Sequence, residues 1–303
     1  MPCRSVRDCC SKSKVIIMLR NRLLDTAGRM TPIFQRQAHR PLSGITKSKL
    51  TTVEVDDKSG IATLSMNFPP VNTLTMELMH DMIDSINEIE CNKSRGLILT
   101  SSNDKVFSAG LDLKELLNPE RKRLEEFWTL FQDLWLALHL CGIPTAAAVN
   151  GHAPAAGCVL ATACEYRTML PNLFIGIHAT RFSFVISKWM MLSYQSVIPR
   201  RVVERALNQG KLFRTEEALD VGLVDEVACN KQEALDKCAT FIATFDKANP
   251  VARTLTKRMC REPDVRDLLN DRAGDLRDCV DYVTTPLFQE GLCAHLEGLK
   301  KSK

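Results

Sequence analysis

Val106-Phe-Ser-Ala-Gly-Leu-Asp-Leu113 is the stretch whose reading decides the fold. An apolar strand ends there on the small pair Ala109-Gly110 and gives way to the helical-looking run 114–117. Backbone N–H groups at such a junction are open to a negative partner. Further along, Asn150-Gly-His-Ala-Pro-Ala-Ala-Gly-Cys158 has the same arrangement, after the apolar run 145–149 and before an apolar helix over 157–164. Two such turns are suited to converge on one oxygen atom.

Working outward, 50–56 and 61–66 alternate as the strands of a hairpin about the polar turn 57–60. Thr75 stands at a helix start, and Leu78, Met79, Met82, Ile83, Ile86 and Ile89 form a core-facing stripe behind it. A buried strand is expected over 96–100. A long helix follows over 124–141, with Phe127, Leu130, Phe131, Leu134, Trp135 and Leu138 on one face, and strands over 165–169 and 174–177. Repeated strand-turn-helix units without a strict sequence repeat predict an α/β spiral.

From about Ser187 the chain turns helical, with segments expected over 200–210, 215–221, 231–245, 249–259, 264–282 and 286–300. The charges Lys257-Arg258 and Lys300-Lys301 are expected to be solvated. No low-complexity linker separates this region from what precedes it. The organisation expected is an N-terminal segment over 1–49, a core over 50–199 and a helical region over 200–303.

A chain of 303 residues that is 45% hydrophobic can bury a full core. Its net charge of +4 is unevenly placed: residues 1–50 hold 11 of the 40 Lys and Arg and 2 of the 36 Asp and Glu. The remainder, 29 bases against 34 acids, carries −5. The Arg- and Ser-rich front has the composition of a mitochondrial transit peptide, with Met18 as a possible second start. A disordered tail or a basic nucleic-acid-binding arm are the other readings of it. No apolar run reaches the length of a membrane span, and Lys301-Ser-Lys303 is not the peroxisomal address. The twelve cysteines contain no Cys-x-x-Cys pair, which favours small buried hydrophobes in a reducing compartment over disulfides or zinc.

With both turns in view, the chain resembles the crotonase superfamily (enoyl-CoA hydratase/isomerase), and within it the mitochondrial Δ3,Δ2-enoyl-CoA isomerases. The resemblance rests on Pro69-Pro-Val-Asn-Thr-Leu74, Gly96-Leu-Ile-Leu-Thr-Ser101, the opening stretch, Ala148-Val-Asn-Gly-His-Ala-Pro-Ala-Ala-Gly-Cys158 and Glu216-Glu-Ala-Leu-Asp-Val-Gly-Leu-Val-Asp-Glu-Val227, in family order. It implies an α/β fold, a crotonase-type spiral of ββα turns with a C-terminal helical region. It also implies homotrimers or hexamers and an acyl-CoA thioester substrate. Coenzyme A then enters as part of the substrate, with no separate cofactor and no metal. By match to the motifs, the N–H groups of Ala109 and Ala156 would form an oxyanion hole, worth roughly 3–4 kcal/mol per donor in related sites. Gly110, Leu111, Asp112 and Leu113 would line the coenzyme A moiety.

Two positions depart from the family pattern. Glycine usually stands where Ala156 does, and the glutamate that moves the proton from C2 to C4 in the isomerases is replaced by Ala179. The second hydratase glutamate corresponds to Val159, so hydration has less support. His178, beside the missing base and on a position that contacts ligand in the isomerases, is the candidate substitute. His152 reads as a hydrogen-bonded loop histidine and Glu165 as a structural carboxylate. Arg181 and Lys188 are candidates for the coenzyme A phosphates.

The expectation is an enoyl-CoA isomerase of unsaturated fatty-acid β-oxidation in the mitochondrial matrix, acting through an oxyanion-stabilised dienolate. The alternative is a weak or inactive acyl-CoA-binding paralogue that has kept the hole and lost the base. An RNA-binding role for the basic N-terminus is a third reading, against which the −5 charge of the remainder argues.

Overall fold

The computed structural model describes residues 50–301. The expected presequence and the alternative start at Met18 lie outside the described residues. The chain runs through β1 (Thr51–Val55), β2 (Ile61–Met66), β3 (Thr73–Leu74), α1 (Met76–Cys91), β4 (Gly96–Ser101), β5 (Gly110–Leu111), α2 (Arg121–His139), β6 (Thr145–Val149), β7 (Ala153–Pro154) and α3 (Ala156–Ala163). After β8 (Tyr166–Met169) and β9 (Phe174–Gly176) come α4 (Lys188–Gln195) and α5 (Arg200–Gln209). β10 (Phe213–Arg214), α6 (Thr215–Asp220), β11 (Glu226–Val227), α7 (Lys231–Ala243), α8 (Pro250–Asn270), α9 (Arg272–Val283) and α10 (Pro286–Lys301) complete it.

The hairpin expected at the start is present, with Thr51 opposite Met66 and Val55 opposite Ala62. Every later strand of the six-stranded sheet joins in parallel, giving the order β1-β2-β4-β6-β8-β11. From β2 onward, β2, β4, β6 and β8 are each followed by a short strand in a separate small sheet: β3 pairs with β5, and β9 lies between β7 and β10. Long strand, short strand, helix is the repeating turn of the spiral, so the mixed α/β architecture expected from the sequence is the one present. The two-residue strands gave no periodicity to read, because alternation needs at least four residues to register.

The helix stripes pack as their spacing required. Thr75 accepts the Leu78 N–H at 3.3 Å and starts α1, whose Leu78, Met79, Met82, Ile86 and Ile89 are buried. On α2, Phe127, Trp128, Phe131, Leu134, Trp135 and Leu138 are fully buried, and Trp189 of α4 packs on Trp135 with ring centres 4.7 Å apart. The helical region does not stand apart from the core. β11 extends the main sheet beside β8, and Ala234, Cys238 and Ile242 of α7 cover the sheet face formed by Ile61, Ile98, Ala146 and Tyr166. A Cβ on Gly96 would lie 2.4 Å from Ile242, so glycine is what admits α7 so close to β4.

Two expectations about the helical region are corrected. The helices placed at 249–259 and 264–282 divide instead at Asp271, because α8 continues through Pro263. Pro263 is exposed, as is Met259, whose carbonyl loses its intrahelical donor on the solvent side, while the opposite face stays packed through Val265 and Leu268. Lys257 is not solvated: it is 7% exposed and its Nζ lies 2.8 Å from Glu165. Among the described residues, no helix is long and apolar enough to cross a membrane.

Candidate active site

The two glycine-containing turns meet. Val106 bridges His152 in parallel, with Phe107 N–H donating to His152 O and His152 N–H to Lys105 O, each at 2.9 Å. Two buried asparagines brace the junction. Asn72 donates to Phe107 O at 3.0 Å and to Ser101 Oγ at 2.7 Å, and Asn150 donates to Ser101 O at 3.0 Å. A Cβ on Gly157 would lie 2.5 Å from Ser108 O, and one on Gly110 would lie 3.1 Å from Ala156 N. The absence of side chains at these two positions is what brings the Val106–Leu113 stretch against the first turn of α3.

α3 is electrostatically one-sided. All eight of its residues are buried. At its C-terminal end, Arg261 donates to Ala163 O at 2.7 Å and Arg167 to Cys164 O at 2.8 Å, so two guanidinium groups satisfy the negative end of the helix. No side chain caps the opposite end. Ala155, the residue before the helix, holds φ 50° and ψ −121°, and its N–H donates to Gly176 O at 2.8 Å. Ala156 therefore begins an uncapped, buried helix whose partial positive charge faces Gly110.

The structure corrects the expected partner of Ala156. The N–H of Ala109 donates to Val71 O at 3.0 Å and is already committed. Asp112 N–H donates to Leu74 O at 3.2 Å, on the edge of β5 that pairs with β3. Successive N–H groups of a strand point to opposite edges, so Leu111 turns its N–H away from β3, to the edge where β5 has no partner strand. Leu111, two residues past Ala109, is the donor that geometry offers beside Ala156. Reading strand parity from the Asp-Leu that closes the motif was the signal available for it.

The other expected residues fall as follows. Gly110 is buried, while Leu111, Asp112 and Leu113 are half-buried. Asp112 Oδ1 accepts the Lys114 N–H at 3.0 Å and caps the short turn that follows. Val159 is buried on α3 at 2% exposure and offers no carboxylate. Ala179 is buried at 5%, in the 3₁₀ turn Ala179–Phe182 that leaves β9, three residues after the carbonyl that holds Ala155. His178 precedes it. Its Nδ1 is buried without a hydrogen-bond partner, and burial, with smaller contributions from His295 and Arg181, pushes its pKa down to about 4. The imidazole is therefore neutral and able to accept a proton at neutral pH.

His152 is structural, its Nδ1 accepting the Phe174 N–H at 3.1 Å while its ring stacks on Phe174. Glu165 is structural too. Burial pushes its carboxyl up, but Lys257 and Arg253 outweigh this and hold it below the usual carboxylate range. Lys188 pairs with Asp267. Beyond Phe184, whose N–H donates to Ala179 O at 3.1 Å, a cavity of about 700 Å³ is lined by Phe184, Trp189, Asp267, Asp271, Asp275 and Asp278. Its carboxylates disfavour a polyphosphate there.

A model of the enoyl-CoA hydratase/isomerase family matches residues 56–302. The chain belongs to that family. This family member is 36% identical over 259 residues to enoyl-CoA delta isomerase 1, mitochondrial, of Rattus norvegicus, covering 84% of this chain and 89% of the relative. The Homo sapiens protein of the same name is 36% identical over 262 residues, covering 84% and 85%. The crystal structure of human mitochondrial delta3-delta2-enoyl-CoA isomerase superposes with a TM-score of 0.81 at 34% identity, over 84% of this chain and 100% of that one. An enoyl-CoA hydratase from Bacillus halodurans shares the fold, with a TM-score of 0.73 at 22% identity over 81% and 100%. The enoyl-CoA hydratase/isomerase fold is thus present with its two converging turns, and with apolar residues at 159 and 179.

Proposed function

We propose that this protein is a Δ3,Δ2-enoyl-CoA isomerase-like enzyme of unsaturated fatty-acid β-oxidation, moving a double bond from C3 to C2 of an acyl-CoA. One observation carries the reading: the N–H of Leu111, on an unpaired strand edge, stands beside the uncapped, buried start of α3 at Ala156. A thioester oxygen held there acquires negative charge when C2 loses a proton. Donors fixed in advance, together with the positive end of α3, stabilise the resulting dienolate. The relatives' names support the substrate class.

Proton transfer then falls to His178, since Ala179 and Val159 carry no titratable group. In this scheme the C2–H bond breaks, its electrons form the dienolate, the imidazole nitrogen takes the proton, and the same proton is returned to C4. Coenzyme A arrives with the substrate, and the scheme needs no resident cofactor. Gly110 to Leu113 line the thioester end in this reading. The mitochondrial matrix is the proposed location, supported by the relatives' names and by the basic, acid-poor first 49 residues. A homotrimer or hexamer is proposed as the assembly, to be checked by light scattering.

The apolar pair Val159 and Ala179 favours a second reading, an acyl-CoA-binding paralogue with little turnover. Assay of the full chain with a 3-enoyl-CoA, beside Ala179→Glu and calorimetric binding of a saturated acyl-CoA, separates the two. The isomerase reading expects wild-type turnover and a loss of about 100-fold in kcat for His178→Ala. An inert wild type that binds acyl-CoA and gains activity with Ala179→Glu selects the paralogue, and absence of acyl-CoA binding rejects both.

A further inference from the structure

Behind His178 the fold builds a wall of aromatic rings. Phe182 meets the imidazole edge-on, with ring centres 5.6 Å apart, and Phe184 stands 6.4 Å behind Phe182. Phe184 in turn packs on Trp128 of α2 at 6.1 Å and on Phe288 of α10 at 5.6 Å. All four of these residues are buried. The backbone fixes their positions. Phe184 N–H donates to Ala179 O at 3.1 Å, and Ser183, between the two phenylalanines, holds φ 62°. Tyr282 of α9 donates to Ser183 O at 2.6 Å, and a Cβ on Gly291 would collide with Ser183 Oγ, so α9 and α10 both press on the segment 182–184. On its far side Phe184 lines the cavity of about 700 Å³, together with Trp189, Leu268 and Tyr282. Bonded to Ala179 through its backbone, it stands between position 179 and that space.

We propose that Phe182 and Phe184 end the acyl pocket shortly beyond C4 and restrict the site to short acyl chains, with Phe184 as the specificity-determining residue that keeps longer tails out of the cavity. The inference rests on the placement of the thioester in the reading above. With the carbonyl oxygen on Leu111 and Ala156, and with C2 and C4 within reach of His178, the carbons after C4 leave past His178, where Phe182 stands. A longer tail has to displace rings that are already packed from behind. Interiors at crystal-like density do not admit extra methylenes without shifting side chains or backbone. Trp128 does not yield easily, because its Nε1 donates to Asp275 Oδ2 at 3.0 Å.

The test is calorimetric titration of the full chain with butanoyl-, hexanoyl-, octanoyl- and decanoyl-CoA, none of which needs turnover. A methylene removed from water is worth about fourfold in Kd. Wild type is expected to gain that step up to hexanoyl-CoA and not beyond it, so that decanoyl-CoA binds no more tightly than hexanoyl-CoA. In Phe184→Leu and Phe184→Ala the tail reaches the apolar side of the cavity, and decanoyl-CoA should bind about tenfold or more tightly than hexanoyl-CoA. The Leu variant keeps most of the apolar volume should the Ala variant fold poorly. A purely structural role for Phe184 would weaken all chain lengths alike and leave their ratio as in wild type.

A wild-type affinity that keeps rising with each methylene to decanoyl-CoA, or the same decanoyl-to-hexanoyl ratio in wild type and both variants, overturns the proposal while leaving the isomerase reading in place. The expected chain-length profile in a protein that does not turn over 3-hexenoyl-CoA supports the wall and removes the isomerase reading. Absence of binding to all four thioesters removes both.

Discussion

Ala155 illustrates how a single residue sets up the site. An alanine at φ 50° and ψ −121° is held in a region that only glycine occupies freely, at a cost of about 1–3 kcal/mol. The strain is maintained by the Gly176 carbonyl on its N–H and by Gly110 in front of it, and it aims the first turn of α3 at the opening stretch. Ala155→Gly is expected to raise stability by about 1 kcal/mol, the relief of strain being partly offset by the greater freedom of glycine in the unfolded chain. The urea midpoint reads this directly. At the same scale the sequence was half legible. The motif match places Ala156 and Ala109 together, but whether Ala109 or Leu111 offers a free N–H depends on which edge of a two-residue strand is paired. That pairing is made with Thr73 and Leu74, far away in sequence.

At the scale of elements, α3 and α8 act together. α8 supplies Arg261, which donates to the C-terminal carbonyls of both α2 and α3, while Arg253 and Lys257 hold Glu165 at the start of β8. The charged residues of a helix that reads as a solvated surface element thereby anchor the far end of the site helix. Pro263 interrupts the hydrogen bonding of α8 on its exposed face without ending it. Pro263→Ala should restore that bond and stabilise the protein by about 1–2 kcal/mol, less than the full helix-interior penalty because proline also stiffens the unfolded chain. A denaturation midpoint unchanged or lowered in this variant would show that the helix has adapted fully to the proline. The stripes on α1 and α2 were readable from period alone. The continuation through Pro263 was not, because its cause is packing of Val265 and Leu268 against residues brought in by the fold.

For the molecule as a whole, buried titratable groups predict an acid limb of stability. His139 is completely buried, stacked on Trp135 and 3.4 Å from Asp264; burial pushes its pKa down from 6.5 to about 4, against the opposing pull of Asp264. Because the folded value lies below the unfolded one, the neutral ring contributes fully above about pH 6.5, and the contribution is lost as pH falls toward 4. The loss is on the order of 3 kcal/mol. His139→Phe, which keeps a ring against Trp135, should flatten the stability profile between those limits, as chemical denaturation at a series of pH values would show. Were the slope unchanged, His139 would not be the group responsible.

By itself the sequence determined the order of the long strands and of the helices α1, α2 and α3, the two glycine-containing turns and the lack of a carboxylate at positions 159 and 179, since these depend on local periodicity, backbone permissiveness and residue identity. Only the tertiary structure decided which N–H of the opening stretch is free, that Lys257 is buried, and that Phe288 backs Phe184. Each of these is a contact between segments far apart in the chain, and no local pattern encodes the distance at which two such segments pack.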